Sequence, residues 1–327
     1  MKKVNIHNLH ETQWKTYFEF FQRTTSRYMP RDWVEDWESF RQRRIANLTV
    51  LPSREVVFFE GENIVAWIRV EEVTGRAYFD WNTHVSPLPE TLMLGLKTVM
   101  REFLVERNLP SISIETGNPS MAELAPYLNA RMINQRYFFE FHHQEANFPL
   151  IEQRLKTFEQ NHPSIRFQLY KDRPDEILDE YIELYNLVSL AIPRKDATGE
   201  PYRSWPAEKL RKLNESNRKT GNTTYTGVLR NDSGKMIGLT DLNINTRQTE
   251  RMYQGMTGIH PDYRKKGFGE WLKIAMLLRV KADFPGFKII DTDSNALNIP
   301  MHKLNLKIGY KKTSEGGEYE IMRENLS

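Results

Sequence analysis

The sequence predicts an α/β fold with mixed sheets, and predicts it twice. Three observations carry this. Short β-rich runs alternate with helix-periodic runs, the same element order returns in the second half, and 327 residues suit two domains better than one.

In ETQWKTYFEFFQR, the residues Trp14, Tyr17, Phe18 and Phe21 recur at i, i+3, i+4 and i+7, the buried face of a helix. REVVFFEGENIVAWIRVEE reads as two strands around a turn at Glu60, Gly61, Glu62 and Asn63, and RAYFDWNTHV as a third strand. The helix ETLMLGLKTVMREFLVER, the strand SISIE, the helix MAELAPYLNARM and the strand RYFFEFHH complete the half. QEANFPLIEQRLKTFEQNHPS is polar, holds two prolines and is expected to be a connector with one short helix. The order then repeats: helix PDEILDEYIELYNLVSLAI, hairpin TTYTGVLRNDSGKMIGLTDLNI, strand RMYQGMTGI, helix GEWLKIAMLLRVKADF, strand FKIIDT, helix IPMHKLNLKIG, strand YEIMRE. Domains are therefore placed at 1–147 and 164–327, with a linker at 148–163. The halves also align by residue, Thr116 on Thr292 and Leu128-Asn129 on Leu304-Asn305, as a duplicated domain would.

Composition excludes several functions. There is no cysteine, so disulfides, thiolate metal sites and cysteine nucleophiles are ruled out. Basic and acidic residues number 46 and 43, a balance that gives no argument for a nucleic-acid partner. No apolar run approaches the ~18 residues of a membrane span, and MKKVNIHNLHETQW has no apolar segment after its lysines. A cytoplasmic, soluble protein is expected, a monomer or homodimer with no membrane partner. No acidic or histidine cluster has metal-ligand spacing, so no metal is expected.

The informative stretch is IHPDYRKKGFGEWLK, from Ile259 to Lys273. Arg264, Lys265 and Lys266 adjoin Gly267 and Gly269 between a strand and a helix. Such a turn points successive N–H groups into one concavity, and the helix dipole adds positive charge. Its guest is a phosphate or pyrophosphate. The pattern is neither the P-loop nor the dinucleotide fingerprint. The first half has SPLPE there, from Ser86 to Glu90, and proline has no N–H to offer.

With Ile259, Pro261, Tyr263, Arg264, Gly267 and Gly269 in place, the chain resembles the GCN5-related N-acetyltransferases (GNAT), whose signature is [QR]-x-x-G-x-[GA]. The resemblance extends to Gln254 and Thr257, to the run Thr292, Asn295, Asn298, Met301 and Asn305, and to Gly309-Tyr310. It is closest over about residues 220 to 310 and is of the tandem type. It implies two GNAT-like domains, each a mixed splayed sheet flanked by helices, the first degenerate and the second binding acetyl-CoA or another acyl-CoA. Backbone N–H groups of Lys266, Gly267, Phe268, Gly269 and Glu270 would hold the diphosphate, with Arg264 and Lys265 beside them. The backbone of Gly258 and Ile259 would pair with the pantetheine arm, and Asn295, Asn298 and Met301 would face it from the other side.

The implied activity is transfer of an acetyl group to a primary amine of a small molecule by direct attack in a ternary complex. Asp241, in the apolar company of IGLTDLNI, is the first choice for the base. Many relatives use a tyrosine as acid where this chain has Asn305, and an amide cannot deliver a proton as a phenol can. Thr257 is a further polar candidate. A non-catalytic acyl-CoA-binding regulator or sensor is the alternative reading.

Overall fold

The computed structural model describes residues 1–28, 36–50, 52–73, 75–193, 205–219, 221–246 and 248–327. By internal contacts it divides into two compact units, 1–136 with 315–327, and 137–314. Each combines strands and helices, the α/β class expected.

The first unit contains β1 (Lys2–Asn5), α1 (Glu11–Tyr28), α2 (Trp37–Val50), β2 (Ser53–Glu60), β3 (Asn63–Val73), β4 (Arg76–Thr83), α3 (Glu90–Glu106), β5 (Ser111–Thr116) and α4 (Met121–Tyr127), and β6 (Arg131–His142) begins in it. Its strand order is β1-β2-β3-β4-β5. Alternation along the strands serves both faces. Val56, Phe58, Ile68 and Phe79 pack under Leu92, Leu96, Val99 and Phe103 of α3, while Val57, Phe59 and Trp67 pack against Tyr17, Phe20, Phe21 and Phe40.

The second unit holds α5 (Phe148–Asn161), β7 (Arg166–Lys171), α6 (Asp175–Leu190), α7 (Ala207–Lys219), β8 (Asn222–Arg230), β9 (Met236–Asn245), β10 (Gln248–Ile259), α8 (Phe268–Asp283), β11 (Ile289–Asn295) and α9 (Ile299–Ile308). Its strand order is β11-β10-β9-β8-β7. Helix α8 covers one face through Ile274, Met276, Leu277 and Val280 on Leu242, Ile244, Met252 and Ile290. Helix α6 covers the other through Tyr181, Leu184 and Val188 on Val228 and Leu239. The last strand, β12 (Lys311–Met322), starts in this unit and ends in the first, where it runs antiparallel to β5 from Gly317↔Thr116 to Met322↔Ser111. The units are therefore not consecutive halves of the chain, because β6 and β12 each pass from one unit to the other in mid-strand.

The structure also differs from expectation within elements. The polar connector is a four-turn helix, α5, started by Asn147, which accepts from the Leu150 N–H, and burying only Phe148 and Ile151. Helix α9 ends at Gly309 (φ 114°), two residues before β12, and α4 is followed by Asn129 (φ 49°), two residues before β6. Asn129 thus corresponds to Gly309, whereas Asn305 lies inside α9. The residue alignment of the repeats slips by one helical turn because α4 has 7 residues and α9 has 10.

Gly258 on β10 lies directly against Val188 of α6. A Cβ there would lie 2.0 Å from Val188 Cγ1. Gly258→Ala should destabilise the chain by about 1–3 kcal/mol in urea unfolding, and Val188→Ala in the same chain should restore part of it. Wild-type stability for Gly258→Ala would disprove that packing.

Candidate functional site

Strands β10 and β11 run parallel and are paired only at Arg251↔Ile289, Met252↔Ile290 and Tyr253↔Asp291. Below that point they are clamped, because Arg251 donates to both Asp291 oxygens at 2.7 and 2.8 Å and to Glu140 at 2.8 Å. Past it they part, although β10 continues to Ile259 and β11 to Asn295. The β10–β9 register shifts between Gln254 and Thr257, and resumes at Thr257↔Thr240, Gly258↔Leu239 and Ile259↔Gly238. From Gln254 to Ile259, then, the edge of β10 facing β11 has no strand beside it. This is the splay the resemblance implied, and Gly258 and Ile259 lie on its open edge.

β10 leads directly into the glycine turn. Gly267 is left-handed (φ 83°) and a Cβ on it would lie 2.7 Å from Phe158, so the turn itself requires this glycine. Gly269 is different. A Cβ there would meet Leu304 at 3.5 Å and Ile259 at 3.8 Å, ordinary contacts, so nothing within the chain forbids a side chain. Among the described residues the backbone N–H groups of Lys265, Lys266, Gly267, Phe268 and Gly269 make no backbone hydrogen bond, while Glu270 donates its N–H to the Gly267 carbonyl at 3.0 Å. Glu270 therefore falls outside the donor set. Its buried carboxylate is held by Arg154 and by Lys307 at 2.7 Å. Arg264 anchors the turn, its Nε donating to the Ile259 carbonyl at 3.0 Å. Lys265 (φ 62°) and Lys266 are exposed, and the Lys266 ammonium lies 5.4 Å from the Tyr263 ring.

The first unit closes the matching place from within. The Leu88 N–H ahead of α3 donates to a Glu123 carboxylate oxygen at 2.8 Å, flanked by Pro87 and Pro89.

The asparagines on the β11 side build the turn into α9. Asn295 Oδ1 accepts from the Leu297 N–H at 2.9 Å, and Asn298 caps the helix by accepting from the Met301 N–H at 3.3 Å. His260 caps the short turn at Asp262 in the same way.

The catalytic candidates lie on two faces. On the α6 face, Asp241 is buried and both its oxygens are engaged, by Tyr181 at 2.6 Å, Thr226 at 2.6 Å and Arg173 at 3.3 Å. Burial alone would lower the Arg173 pKa, but Asp241 and Tyr181 outweigh it and raise it. Burial and then the Asp241 charge push the Tyr181 phenol well above its ordinary value. Asp241 and Arg173 thus form a buried ion pair whose carboxylate also accepts from two hydroxyls. On the α8 face, Thr257 shares a hydrogen bond with Thr240 at 2.7 Å. Gln254 donates to Thr240 at 3.2 Å and accepts from Tyr310 at 2.7 Å, and Thr292 donates to the Gln254 carbonyl at 3.0 Å. Burial raises the Tyr310 pKa far above a phenol's usual range. Asn305 is fully buried and accepts from Lys273 Nζ at 2.6 Å.

Of this cluster the sequence marks Gln254 and Tyr310 only as positions of the resemblance and gives Lys273 no role. The lysine had a signal, since Trp271, Leu272, Ile274 and Ala275 around it are apolar and a helix so lined is buried all round. Among the described residues no group of three or more His, Asp or Glu could hold a metal ion, and no helix is long and apolar enough to cross a membrane.

Burial brings the Lys273 pKa down from 10.5 to about 7. The unfolded chain then binds the extra proton between these values, so stability rises with pH across that window and the penalty is fullest below it. Relative to Lys273→Met, the wild type should gain up to about 1.4 kcal/mol per pH unit from pH 7 towards 10. Parallel stability–pH curves would contradict a buried, titrating ammonium.

Residues 190–310 match the model of the acetyltransferase (GNAT) family. No curated protein matches the chain. A tandem GNAT protein from the clavulanic acid biosynthesis pathway superposes with a TM-score of 0.76 at 15% identity, covering 98% of each chain. A GCN5-related N-acetyltransferase from Sphaerobacter thermophilus gives 0.56 at 12% identity, covering 82% of this chain and 80% of that one. The glucosamine N-acetyltransferase region of a fungal multi-domain β-N-acetylglucosaminidase gives 0.66 at 11% identity, covering 98% of this chain and 38% of that one. At these identities the likeness is one of fold. The splayed strands and the glycine turn lie inside the matched segment, so the part of the chain that matches the GNAT family model is the part that holds the candidate site, in a chain with the tandem GNAT fold.

Proposed function

We propose that the second unit binds acetyl-CoA, or another acyl-CoA, and transfers its acyl group to a primary amine of a small molecule by direct attack in a ternary complex. The observation that carries this is the edge of β10 beyond Tyr253, which no strand covers. It leads into the turn at the start of α8, where the amides of residues 265–269 have no backbone hydrogen bond among the described residues. The turn suits a diphosphate, because amides and helix dipole act together there. Arg264, Lys265 and Lys266 add positive charge. The edge of β10 at Gly258 and Ile259 suits the amide-bearing arm of CoA, which can bond to it as an added strand would. Asn295, Asn298 and Met301 shape the opposite wall. Gly269 fits this reading, since the contacts a Cβ would make there with Leu304 and Ile259 are ordinary ones and give the described residues no need of a glycine.

On this reading the open edge of β10 would also offer a backbone N–H to the carbonyl oxygen as negative charge develops on it. Thr257 stands on that strand. Asp241 is the proposed base, poised next to the irregular stretch of β10, where a Cβ on Gly255 would lie 3.6 Å from Asp241 Cβ. A second reading, a non-catalytic acyl-CoA sensor, is favoured by the engagement of both Asp241 oxygens and by Asn305 in place of a phenol.

Calorimetry with CoA tests the cradle. Gly269→Ala should fold normally and bind CoA at least about tenfold more weakly, a loss of roughly 1.4 kcal/mol. Unchanged affinity would place the diphosphate elsewhere. Thiol release from acetyl-CoA across a panel of primary amines separates the two readings: one accelerating amine supports the transferase, and binding without release under every amine supports the sensor. Asp241→Asn should keep CoA affinity and slow turnover with that amine, whereas an equal rate removes Asp241 from the mechanism.

A further inference from the structure

Helix α8 carries in its own first turn a carboxylate placed to compete with an incoming anion. The helix is capped at Gly267, and Glu270 is its third residue. From that position a glutamate can reach back to the N–H of the capping residue and close the turn on its own side chain. The amides there, from Lys265 to Gly269, make no backbone hydrogen bond among the described residues. The helix dipole favours the move, since a carboxylate in a first turn meets positive potential. The first unit shows such a closure, with the Leu88 N–H ahead of α3 held by the Glu123 carboxylate at 2.8 Å.

Glu270 is instead turned away. Its carboxylate is buried, with Oε1 accepting from Arg154 Nη2 and Oε2 from Lys307 Nζ at 2.7 Å. The two cations are not equivalent. The Lys307 side chain is 62% exposed, and an ion pair on a flexible, solvated stem restrains little. The Arg154 side chain is 20% exposed, and its Nη1 also donates to the Lys307 carbonyl at 3.0 Å. Two partners fix the plane of its guanidinium.

Arg154 comes from α5, the helix whose sequence reads as a connector. Helix α5 is fastened along α8 at both ends. Phe158 fills the space that a Cβ on Gly267 would need, 2.7 Å away. His162, which caps α5, packs edge-on against Phe268 with ring centres 4.9 Å apart. At the other end Glu152 pairs with Lys281 at 2.9 Å. Helix packing therefore sets where Arg154 stands, and the ion pair to Glu270 follows from it.

We propose that Arg154 is a positioning residue for the anion turn: it holds the Glu270 carboxylate off the amides of residues 265–269 and so keeps them open to the diphosphate of CoA. This rests on the CoA reading above. The connector helix thereby acts on the affinity of the turn through a single carboxylate.

Two measurements on the full chain test this. Without ligand, Arg154→Met should give the Gly267 amide a carboxylate partner. Its proton resonance should move downfield and its hydrogen exchange should slow about fivefold, the worth of one hydrogen bond. In calorimetry with CoA, Arg154→Met should bind about fivefold more weakly for the same reason. Arg154→Lys should keep most of the wild-type affinity, and Arg154→Met combined with Glu270→Met should recover it. A merely structural role for Arg154 would weaken binding in the double variant too, so failure of that rescue overturns the proposal. Unchanged CoA affinity in Arg154→Met overturns it, as does a Gly267 amide that behaves as in the wild type. If Arg154→Met fails to fold, Arg154→Gln replaces it in both measurements. A wild-type chain that binds no CoA overturns the CoA reading itself, and the Gly267 amide then decides the restraint of Glu270 alone.

Discussion

The second unit depends on two parallel strands that stop pairing too early. β10 and β11 hold each other for three residue pairs and then diverge. Backbone N–H and C=O groups left without partners are expensive, so a sheet opens in its interior only where something holds it open or fills it. Here the holding is visible. The Arg251 clamp on Asp291 and Glu140 secures the closed end, the Thr292 hydroxyl takes the Gln254 carbonyl at the point of parting, and the register shift after Gln254 turns β10 away. The filling is what the chain does not supply.

Charge around the open region follows from the same constraint. A buried carboxylate, Glu270, sits in the first turn of α8, where it adds negative potential close to the amides that would receive an anion. Two cations, Arg154 and Lys307, more than neutralise it, and they tie α5 and α9 to α8. The turn thus keeps its positive character while three helices are pinned together at its base. On the other face, Asp241 is neutralised by Arg173 and satisfied by Tyr181 and Thr226, which fixes α6 and β8 to β9. Lys273 is the exception on the α8 face, a charge whose only polar contact among the described residues is the Asn305 amide.

Sequence patterns revealed the elements whose chemistry is local. Aromatic residues at helical spacing marked α1, the Glu60–Asn63 turn marked a hairpin, and glycine between strand and helix marked the start of α8. Elements that bury little were not visible. Helix α7 is mostly polar with Leu210 buried, β7 alternates without a fully buried residue, and α5 reads as a linker because only Phe148 and Ile151 are covered. The swap of β6 and β12 between units could not be read, since a strand's partners are set by distant segments. Within the candidate site, the glycine turn was legible because strand, glycines and helix are adjacent in sequence. The state of Asp241 was not, because Arg173 lies 68 positions away and reaches it only through the fold. Asn305 was seen as a departure, but its partner Lys273 is on another helix.

The two units solve the same local problem in opposite ways. Ahead of α3, prolines remove two N–H donors and the Glu123 carboxylate takes the N–H of Leu88 between them. Ahead of α8, five consecutive amides stay unbonded among the described residues, and the Glu270 carboxylate is turned away to Arg154 and Lys307. A helix start that closes on its own side chain gains a hydrogen bond and loses the means to hold a ligand anion. One that leaves its amides open forgoes that bond in the free protein. The asymmetry therefore favours the second unit for the proposed anion site on physical grounds, independent of any sequence motif.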